Sequence, residues 1–210
     1  MTERPIIMSA ESVRAILDGR KTQTRRVINP QPPDDIEHYH HKDGLWYPVN
    51  YPGCRGEMYP VYHGVRCPYG AVGDRLYVRE TWKSSFSEYQ ETGQGHGGPD
   101  DPCWGYKATM TYSCGKPIPD YPIAWKSPIY MPKIAARIWL EITGIRAERL
   151  QEITVGDVVA EGLPSDIGPP LEFPEPEFQW FIHHWDNLNA KRGHLWDTNS
   201  WVWVIECQRT

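Results

Sequence analysis

The sequence predicts an α+β fold in which a compact β-barrel carries helices packed on its outside and long loops between its strands. Several separated segments have strand-like patterns, whereas only three have the spacing of a helix, each short or of moderate length. Glycine and proline contribute 18 and 20 of the 210 residues, which is high for a helical bundle and indicates long ordered connections. A chain of this length can bury one core, so we expect a single domain over residues 1–210.

Composition and charge restrict the partners that the chain can have. Hydrophobic residues make up 40% and charged residues 23%, as in globular proteins, and the formal net charge is −5. Non-specific binding to long duplexes depends on many lysine and arginine contacts to phosphates, so we expect no long duplex DNA and only a small or locally bound nucleic-acid ligand. The first four residues carry charges of both signs, and no apolar run approaches about 18 residues, which predicts a cytoplasmic protein with no membrane segment.

A strand and a helix are predicted before the most basic segment of the chain. Residues 5–8 are apolar and suit a buried strand. Ser9 is placed to cap the helix that follows, and Gly19 stands where a left-handed residue often ends a helix. The apolar positions between them fall at helical spacing: Ala10, Val13, Ile16 and Leu17.

Two long insertions are predicted in the middle of the chain. Residues 29–70 are rich in proline, tyrosine, histidine and glycine without sustained periodicity, which indicates an extended segment with a small hairpin. Residues 75–82 then alternate as one strand. The second insertion covers residues 83–125 and contains a short strand at residues 106–109.

The C-terminal part contains the strongest strand and the strongest helix. Residues 138–143 alternate between apolar and polar side chains and predict the best strand of the chain. Thr154 caps a short helix that Gly162 ends. A third insertion at residues 164–176 precedes the last helix, and residues 201–206 form a β-branched and aromatic strand. The apolar stripe of the last helix consists of Phe178, Phe181, Ile182, Trp185 and Leu188.

Polar and charged groups are concentrated in the segment Gly19-Arg20-Lys21-Thr22-Gln23-Thr24-Arg25-Arg26. One interpretation is a solvated basic turn, because runs of charge usually lie on exposed faces. The other is part of an acid/base set, in which Lys21 accepts the proton of the Thr24 hydroxyl if burial or nearby cations lower the lysine pKa. Such a set needs a carboxylate from elsewhere in the chain. The residues alone leave both interpretations open.

The pattern Gly19-x-Lys21-x-x-Thr24-x-Arg26 resembles the signature of the ASCH domain family, in the version that has threonine where many members have glutamate. The resemblance continues at the Gly-Asp turn and strand of residues 73–78 and at the helix that ends near residue 162. It is closest to long ASCH proteins of phages and prophages. It implies a PUA-like mixed β-barrel, related to RNA-binding modules, to which the three insertions are added.

Small bacterial ASCH proteins with this version of the motif act as acetylcytidine amidohydrolases, and the resemblance implies the same reaction here. On that pattern Lys21 deprotonates Thr24, Thr24 attacks the acyl carbon, and Glu161 positions the amine or moves the proton to the leaving nitrogen. The implied substrate is an acylated cytidine, as a nucleoside or within single-stranded RNA, and no cofactor is expected. The alternatives are a nucleotide- or RNA-binding module without chemistry and an ASCH-type ribonuclease.

Five further side chains are candidates for substrate binding. Arg26, in the basic segment, is also a candidate hydrogen-bond donor to an oxyanion. A tryptophan can stack on a base, and cations can contact phosphate or carbonyl oxygens, although a strand tryptophan more often belongs to a core. The candidates are Arg26, Arg79, Trp82, Lys133 and Arg137.

Four of the five cysteines and one histidine could assemble a zinc site, but none has the CxxC or HxxxH spacing that makes such a site specific. We therefore predict no metal site, and we expect the cysteines of a cytoplasmic protein as thiols or metal ligands before disulfides. His184 borders the apolar stripe of the last helix, where a structural histidine is expected. The candidate zinc ligands are Cys54, His63, Cys67, Cys103 and Cys114.

Overall fold

The computed structural model describes residues 1–50, 59–60, 63–84, 103–118, 124–165 and 176–210, which form a mixed α+β structure built mostly of sheets. The helices are α1 (Ala10–Leu17), α2 (Val155–Ala160) and α3 (Pro176–Asn189). The strands are β1 (Glu3–Ile7), β2 (Gln23–Val27), β3 (His38–Lys42), β4 (Leu45–Asn50), β5 (Tyr59–Pro60), β6 (Arg75–Arg79), β7 (Trp82–Ser84), β8 (Trp104–Tyr106), β9 (Thr111–Tyr112), β10 (Trp139–Arg149) and β11 (Trp201–Arg209).

One five-stranded sheet organises the molecule, with the strand order β1-β6-β10-β11-β2. The pair β1 and β6 is parallel, and the other pairs are antiparallel. The two longest strands, β10 and β11, lie at its centre, and their pairing runs from Leu140 opposite Arg209 to Arg149 opposite Trp201. The edge strands β1 and β2 flank helix α1 in the sequence.

Hydrogen bonding between the described strands does not close this sheet into a barrel, so the predicted barrel stays a prediction. The two edges nevertheless approach each other on one side of the sheet. Arg26 Nη2 on β2 donates a hydrogen bond to Ile7 O at the end of β1, at 2.7 Å. The space between these edges contains the candidate functional site.

Strand β11 lies between two apolar cores. Trp201, Trp203 and Ile205 pack into the core that α1 covers, whereas Val202 and Val204 pack into the core that α3 covers. Both faces of the strand are therefore buried. Burial on both faces explains why this segment has a continuous apolar run instead of an alternating pattern.

The insertions form two smaller sheets, β3-β4-β5 and β7-β8-β9. The hairpin predicted in the first insertion is confirmed by β3 and β4. The strand predicted at residues 106–109 is wrong, because β8 ends at Tyr106 and a turn follows in which Met110 has a φ of 53°. Most of the third insertion, residues 166–175, lies outside the described residues.

Local predictions around the first two helices are confirmed. The Ser9 side chain accepts a hydrogen bond from the backbone of α1, and Gly19 has a φ of 75°. Thr154 and Asp157 form the capping box of α2. In contrast, the strand predicted at residues 75–82 is divided, because β6 ends at Arg79 and β7 belongs to another sheet.

The interpretation of residues 19–26 as a solvated basic turn is wrong. From Gln23 onward the segment is strand β2, which pairs with β11. Lys21, Thr24 and Arg25 are only 6%, 2% and 3% exposed. Buried cations require partners, and the candidate site provides them.

Candidate functional site

The candidate site is a cavity of about 800 Å³ between β1 and β2. The start of α1, Glu161 at the end of α2 and the C-terminal part of α3 border it. Its volume lies within the range of small-molecule sites, roughly 300–1,000 Å³. Residues that line it include Ile7, Ser9, Lys21, Thr24, Arg25, Arg26, Arg79, Glu161, His184, Arg192 and His194.

Lys21 and Glu161 form a buried ion pair in this cavity. Lys21 Nζ lies 2.6 Å from Glu161 Oε2 and donates a second hydrogen bond to the Glu161 carbonyl oxygen at 2.9 Å. The two side chains are 3% and 6% exposed. A backbone bridge between the same two residues, and a hydrogen bond from Thr22 N to Ala160 O at 2.9 Å, hold the end of α2 against the start of β2.

Gly162 makes this close approach possible. Its φ of 98° is unfavourable for residues with a side chain. A Cβ at this position would lie 2.8 Å from Ala15 Cβ and 3.0 Å from Lys21 Cβ. The absence of a side chain at residue 162 therefore allows α2 to end directly against α1 and Lys21.

Arg25 connects the ion pair to a wider charge network. Its guanidinium lies 3.3 Å from Glu161 Oε1, 2.6 Å from Glu148 Oε1 and 3.4 Å from Asp157 Oδ2, and its side chain is 1% exposed. A buried charge without partners costs several kcal/mol, so the three carboxylates account for the burial of this cation. Glu161 is thus held by two cations, Lys21 on one oxygen and Arg25 on the other.

Thr24 lies on β2 and lines the same cavity as Lys21 and Glu161. Its backbone position is set by the pairing of β2 with β11, in which Thr24 stands opposite Ile205. The structure therefore brings the three predicted catalytic residues to one cavity. Lys21 lies just before β2, Thr24 lies within it, and Glu161 ends a helix 137 residues beyond Thr24.

Burial lowers the pKa of the Lys21 amine below its ordinary value. The Glu161 carboxylate opposes this effect through charge and a hydrogen bond, whereas the Arg26 cation acts in the same direction as burial. A lowered pKa favours the neutral amine, which is the form that can accept a proton. This is the condition under which a lysine can activate a hydroxyl group.

Two of the five predicted substrate-binding residues, Arg26 and Arg79, line the cavity. Arg26 bridges the edge strands through Ile7 O, as described above. Arg79 Nη1 donates to Ile129 O at 3.1 Å, and its guanidinium lies 5.5 Å from the centre of the Tyr77 ring. Both cations are only partly buried.

The other three predicted substrate-binding residues do not line the cavity. Trp82 is 6% exposed and packs in a small separate core. Lys133 forms an ion pair with Glu3, and Arg137 forms a two-pronged ion pair with Glu80 at 2.9 and 3.0 Å. These partners give the three side chains structural roles, and their part in substrate binding stays a prediction.

Within the part of the chain that the structure describes, no group of three or more metal-ligating side chains could hold a metal ion. Cys54 lies outside that part, and His63 is exposed. Cys67 is buried, and burial raises the pKa of its thiol to about 11. Cys103 and Cys114 lie close together, with 3.3 Å between their sulfur atoms. The prediction of no metal site stays a prediction.

His184 lines the cavity, whereas the sequence predicted only a structural histidine at this position. It lines this cavity and a neighbouring one of about 230 Å³, and Glu161 also lines both. Its Nδ1 lies 3.4 Å from Glu11 Oε2, and its ring stacks on Trp180 with 5.1 Å between ring centres. Burial, together with the Lys21 cation, lowers the pKa of His184. The only sequence signal was its position beside an apolar stripe.

Arg25 was also missed as a member of the site. In a strand, successive side chains point to opposite faces, so Arg25 cannot share a face with Thr24 and Arg26. Once residues 23–27 are assigned to a strand, pairing with β11 places Arg25 opposite Val204, on the face of the core that α3 covers. Its three carboxylate partners come from β10 and α2, which the local sequence does not indicate.

In the described residues, no helix combines the length and the apolar character that crossing a membrane requires. Comparison with known proteins found no matching family model, no matching curated protein and no matching solved structure.

Proposed function

We propose that the chain is an ASCH-type, PUA-like protein that removes an acyl group from the exocyclic amine of a modified cytidine. The observation that carries this proposal is the buried Lys21–Glu161 pair, which lines the same cavity as Thr24. This combination provides a nucleophile, a base with a lowered pKa and a carboxylate in one place.

The approach of the two sheet edges supports the barrel part of the proposal. Arg26 joins β2 to β1 through a side chain where a closed barrel would have a backbone ladder. The cavity lies at this point, so a barrel with one open seam would leave room for a ligand between its first two strands.

The proposed reaction proceeds in two steps. Neutral Lys21 takes the proton of Thr24 as Oγ1 attacks the acyl carbon, and the tetrahedral oxyanion is stabilised by Arg26 or by backbone N–H groups near Gly19. The carbon–nitrogen bond then breaks, and the amine leaves with the proton from Lys21 while Glu161 keeps the lysine in position. Water hydrolyses the threonine ester in the second step, which releases the carboxylic acid and restores the hydroxyl group.

The cavity suits a nucleoside or a single nucleotide within single-stranded RNA. Its volume of about 800 Å³ can hold such a ligand. Arg26, Arg79 and Arg192 are cations on its lining, and they can pair with phosphate oxygens. The net charge of −5 favours a small ligand over a long duplex.

The test is to incubate the pure protein with N4-acetylcytidine, and with its 5′-monophosphate, and to follow the release of cytidine or its monophosphate. Thr24→Val should lower kcat/KM at least about 1,000-fold, because the nucleophile is removed, whereas Thr24→Ser should keep measurable activity. Thr22→Val is the matched control, since Thr22 is exposed in the same segment, and it should retain full activity.

A second candidate function is binding without turnover. The observation that favours it is the complete pairing of Glu161, whose two oxygens contact Lys21 and Arg25 and which could therefore have a purely structural role. Calorimetry on the same samples separates the two functions. Nucleoside or nucleotide binding without product release would contradict the amidohydrolase and support the binding module.

A further inference from the structure

Cys103 and Cys114 stand across from each other at the open end of the hairpin formed by β8 and β9. These two strands pair antiparallel, and Ser113 N donates to Trp104 O at 2.7 Å just beyond them. Cys103 immediately precedes β8, and Cys114 lies in the turn that follows β9, so both residues are at the same end of the hairpin. Trp104 N in turn donates to the Ser113 hydroxyl at 3.0 Å, which holds this turn against the start of β8.

The two thiols are in direct contact. Cys103 Sγ lies 3.3 Å from Cys114 Sγ and donates to it, and Ser113 Oγ donates to Cys103 Sγ, also at 3.3 Å. Cys103 is 7% exposed and belongs to a small apolar cluster, whereas Cys114 is exposed to solvent. One sulfur is therefore accessible to a reagent, and the second lies directly behind it.

The surroundings of Cys114 favour its reactive form. The backbone N–H of Lys116 lowers the pKa of the Cys114 thiol, and the hydrogen bond from Cys103 adds to this effect. The thiolate is the nucleophile in exchange with disulfides. Burial has the opposite effect on Cys67 and Cys207, because it raises the pKa of each of these thiols to about 11.

We propose that Cys103 and Cys114 form a site of reversible thiol–disulfide exchange that reacts with low-molecular-weight disulfides such as glutathione disulfide. The Cys114 thiolate attacks one sulfur of the small disulfide, which forms a mixed disulfide and releases one thiolate. Cys103 then loses its proton, attacks the sulfur of Cys114 and releases the second small thiol. One protein dithiol and one small disulfide thus become one protein disulfide and two small thiols.

A metal-thiolate site is the competing use of this pair. A zinc site needs four ligands, or three with water, and in the described residues no third histidine, cysteine or carboxylate joins the two thiols. The exchange site requires only the two sulfurs that are present. It is independent of the proposed amidohydrolase activity, since neither cysteine lines the cavity between β1 and β2.

The experiment equilibrates the full-length protein in glutathione buffers from fully reducing to fully oxidising, followed by acid quenching, alkylation of free thiols and peptide mass mapping. A Cys54→Ser background removes the cysteine that lies outside the described residues. We expect one disulfide between Cys103 and Cys114, which dithiothreitol reverses. Cys67 and Cys207 are the internal controls, and both should be recovered as alkylated free thiols from every buffer.

Two variants separate the steps of the exchange. Cys103→Ser should stop at the mixed disulfide, with glutathione on Cys114, whereas Cys114→Ser should remain unmodified in the native protein. The proposal is overturned if the Cys54→Ser chain retains the free thiols of both Cys103 and Cys114 in the most oxidising buffer, or if it accumulates only the mixed disulfide. It is equally overturned if the protein, as purified, contains one zinc ion per chain that Cys114→Ser eliminates.

Discussion

At the scale of single residues, the charges in the candidate site are buried but paired. Lys21 and Arg25 are almost inaccessible, and Glu161 contacts both. Removing one member of a buried pair leaves an uncompensated charge, which typically costs more than the pair itself contributes. The site residues therefore affect stability, and activity measurements on their variants need a parallel measurement of folding.

Lys21→Met and Glu161→Gln should each lower the free energy of unfolding by about 3–5 kcal/mol. Lys21→Met should fall at the lower end, because Arg25 still contacts Glu161 at 3.3 Å. The double variant should lose less than the sum of the single losses, since it removes both charges together. Urea denaturation at pH 7 measures all four proteins, and strictly additive losses would show that the two side chains do not interact.

His184 should make the stability depend on pH in the weakly acidic range. Its pKa is lowered in the folded state, so the unfolded chain binds the proton more tightly. The free energy of unfolding should therefore fall as the pH drops from about 6.5 towards the folded-state pKa, by at most about 1.4 kcal/mol per pH unit. The charged groups that act on His184 are Glu11, Lys21 and Glu161.

The His184→Gln variant should lose this part of the pH dependence, as measured by urea denaturation between pH 7.5 and pH 5.5. His183→Gln is the matched control, because the neighbouring histidine on α3 is exposed and should leave the slope unchanged. An equal change in both variants would show that the pH dependence of the free energy of unfolding arises from general surface charge and not from His184.

At the scale of elements, the short helix α2 positions the site carboxylate. Its capping box at Thr154 holds the first turn, and Asp157 there also contacts Arg146 at 2.6 Å. Glu161 follows as the C-terminal cap, and Gly162 allows the chain to turn away next to Lys21. A helix of six residues is marginal by itself, so these end contacts decide where Glu161 lies.

Gly162→Ala should destabilise the protein more than Gly193→Ala. Both glycines have positive φ, at 98° and 81°, which costs a residue with a side chain about 1–2 kcal/mol. The substitution at Gly162 would also force a Cβ against Ala15 and Lys21, which adds about 1–3 kcal/mol. A Cβ at Gly193 would meet no described atom within 4 Å, so this added cost is absent there. Thermal or urea unfolding measures the difference, and equal losses would show that the contact at Gly162 relaxes freely.

At the scale of the whole molecule, the five-stranded sheet separates two cores and joins them through β11. Trp203 lies in the core beneath α1, and Phe181 of α3 lies in the core on the other face. Because neighbouring residues of one strand belong to both cores, neither core can be disrupted without affecting the central strand. We therefore expect the two cores to unfold together.

Trp203→Ala and Phe181→Ala should each lower the free energy of unfolding by about 3–5 kcal/mol. In both variants the unfolding curves from tryptophan fluorescence and far-ultraviolet circular dichroism should coincide, as in a single cooperative transition. Two separate transitions in either variant would contradict the prediction of one domain over residues 1–210.

The elements predicted correctly are those whose signals lie within a few residues. The cap at Ser9, the left-handed Gly19, the alternation in β10 and the capping box of α2 depend on neighbouring hydrogen bonds and on one buried face. The strand predicted at residues 106–109 was wrong, because β8 covers Trp104–Tyr106 and a turn begins at Lys107. A local sequence pattern predicts an element correctly when few distant contacts compete with the local interactions.

The sequence by itself determined the composition of the site segment, with its amine, hydroxyl and guanidinium groups, and the caps of the helices around it. Only the tertiary structure decided that Lys21 pairs with Glu161, 140 residues away, that Arg25 is buried among three carboxylates, and that Trp82 belongs to a separate core. The reason is physical. Which distant side chains meet depends on the order and curvature of the sheet, and that order is set by the packing of the whole chain.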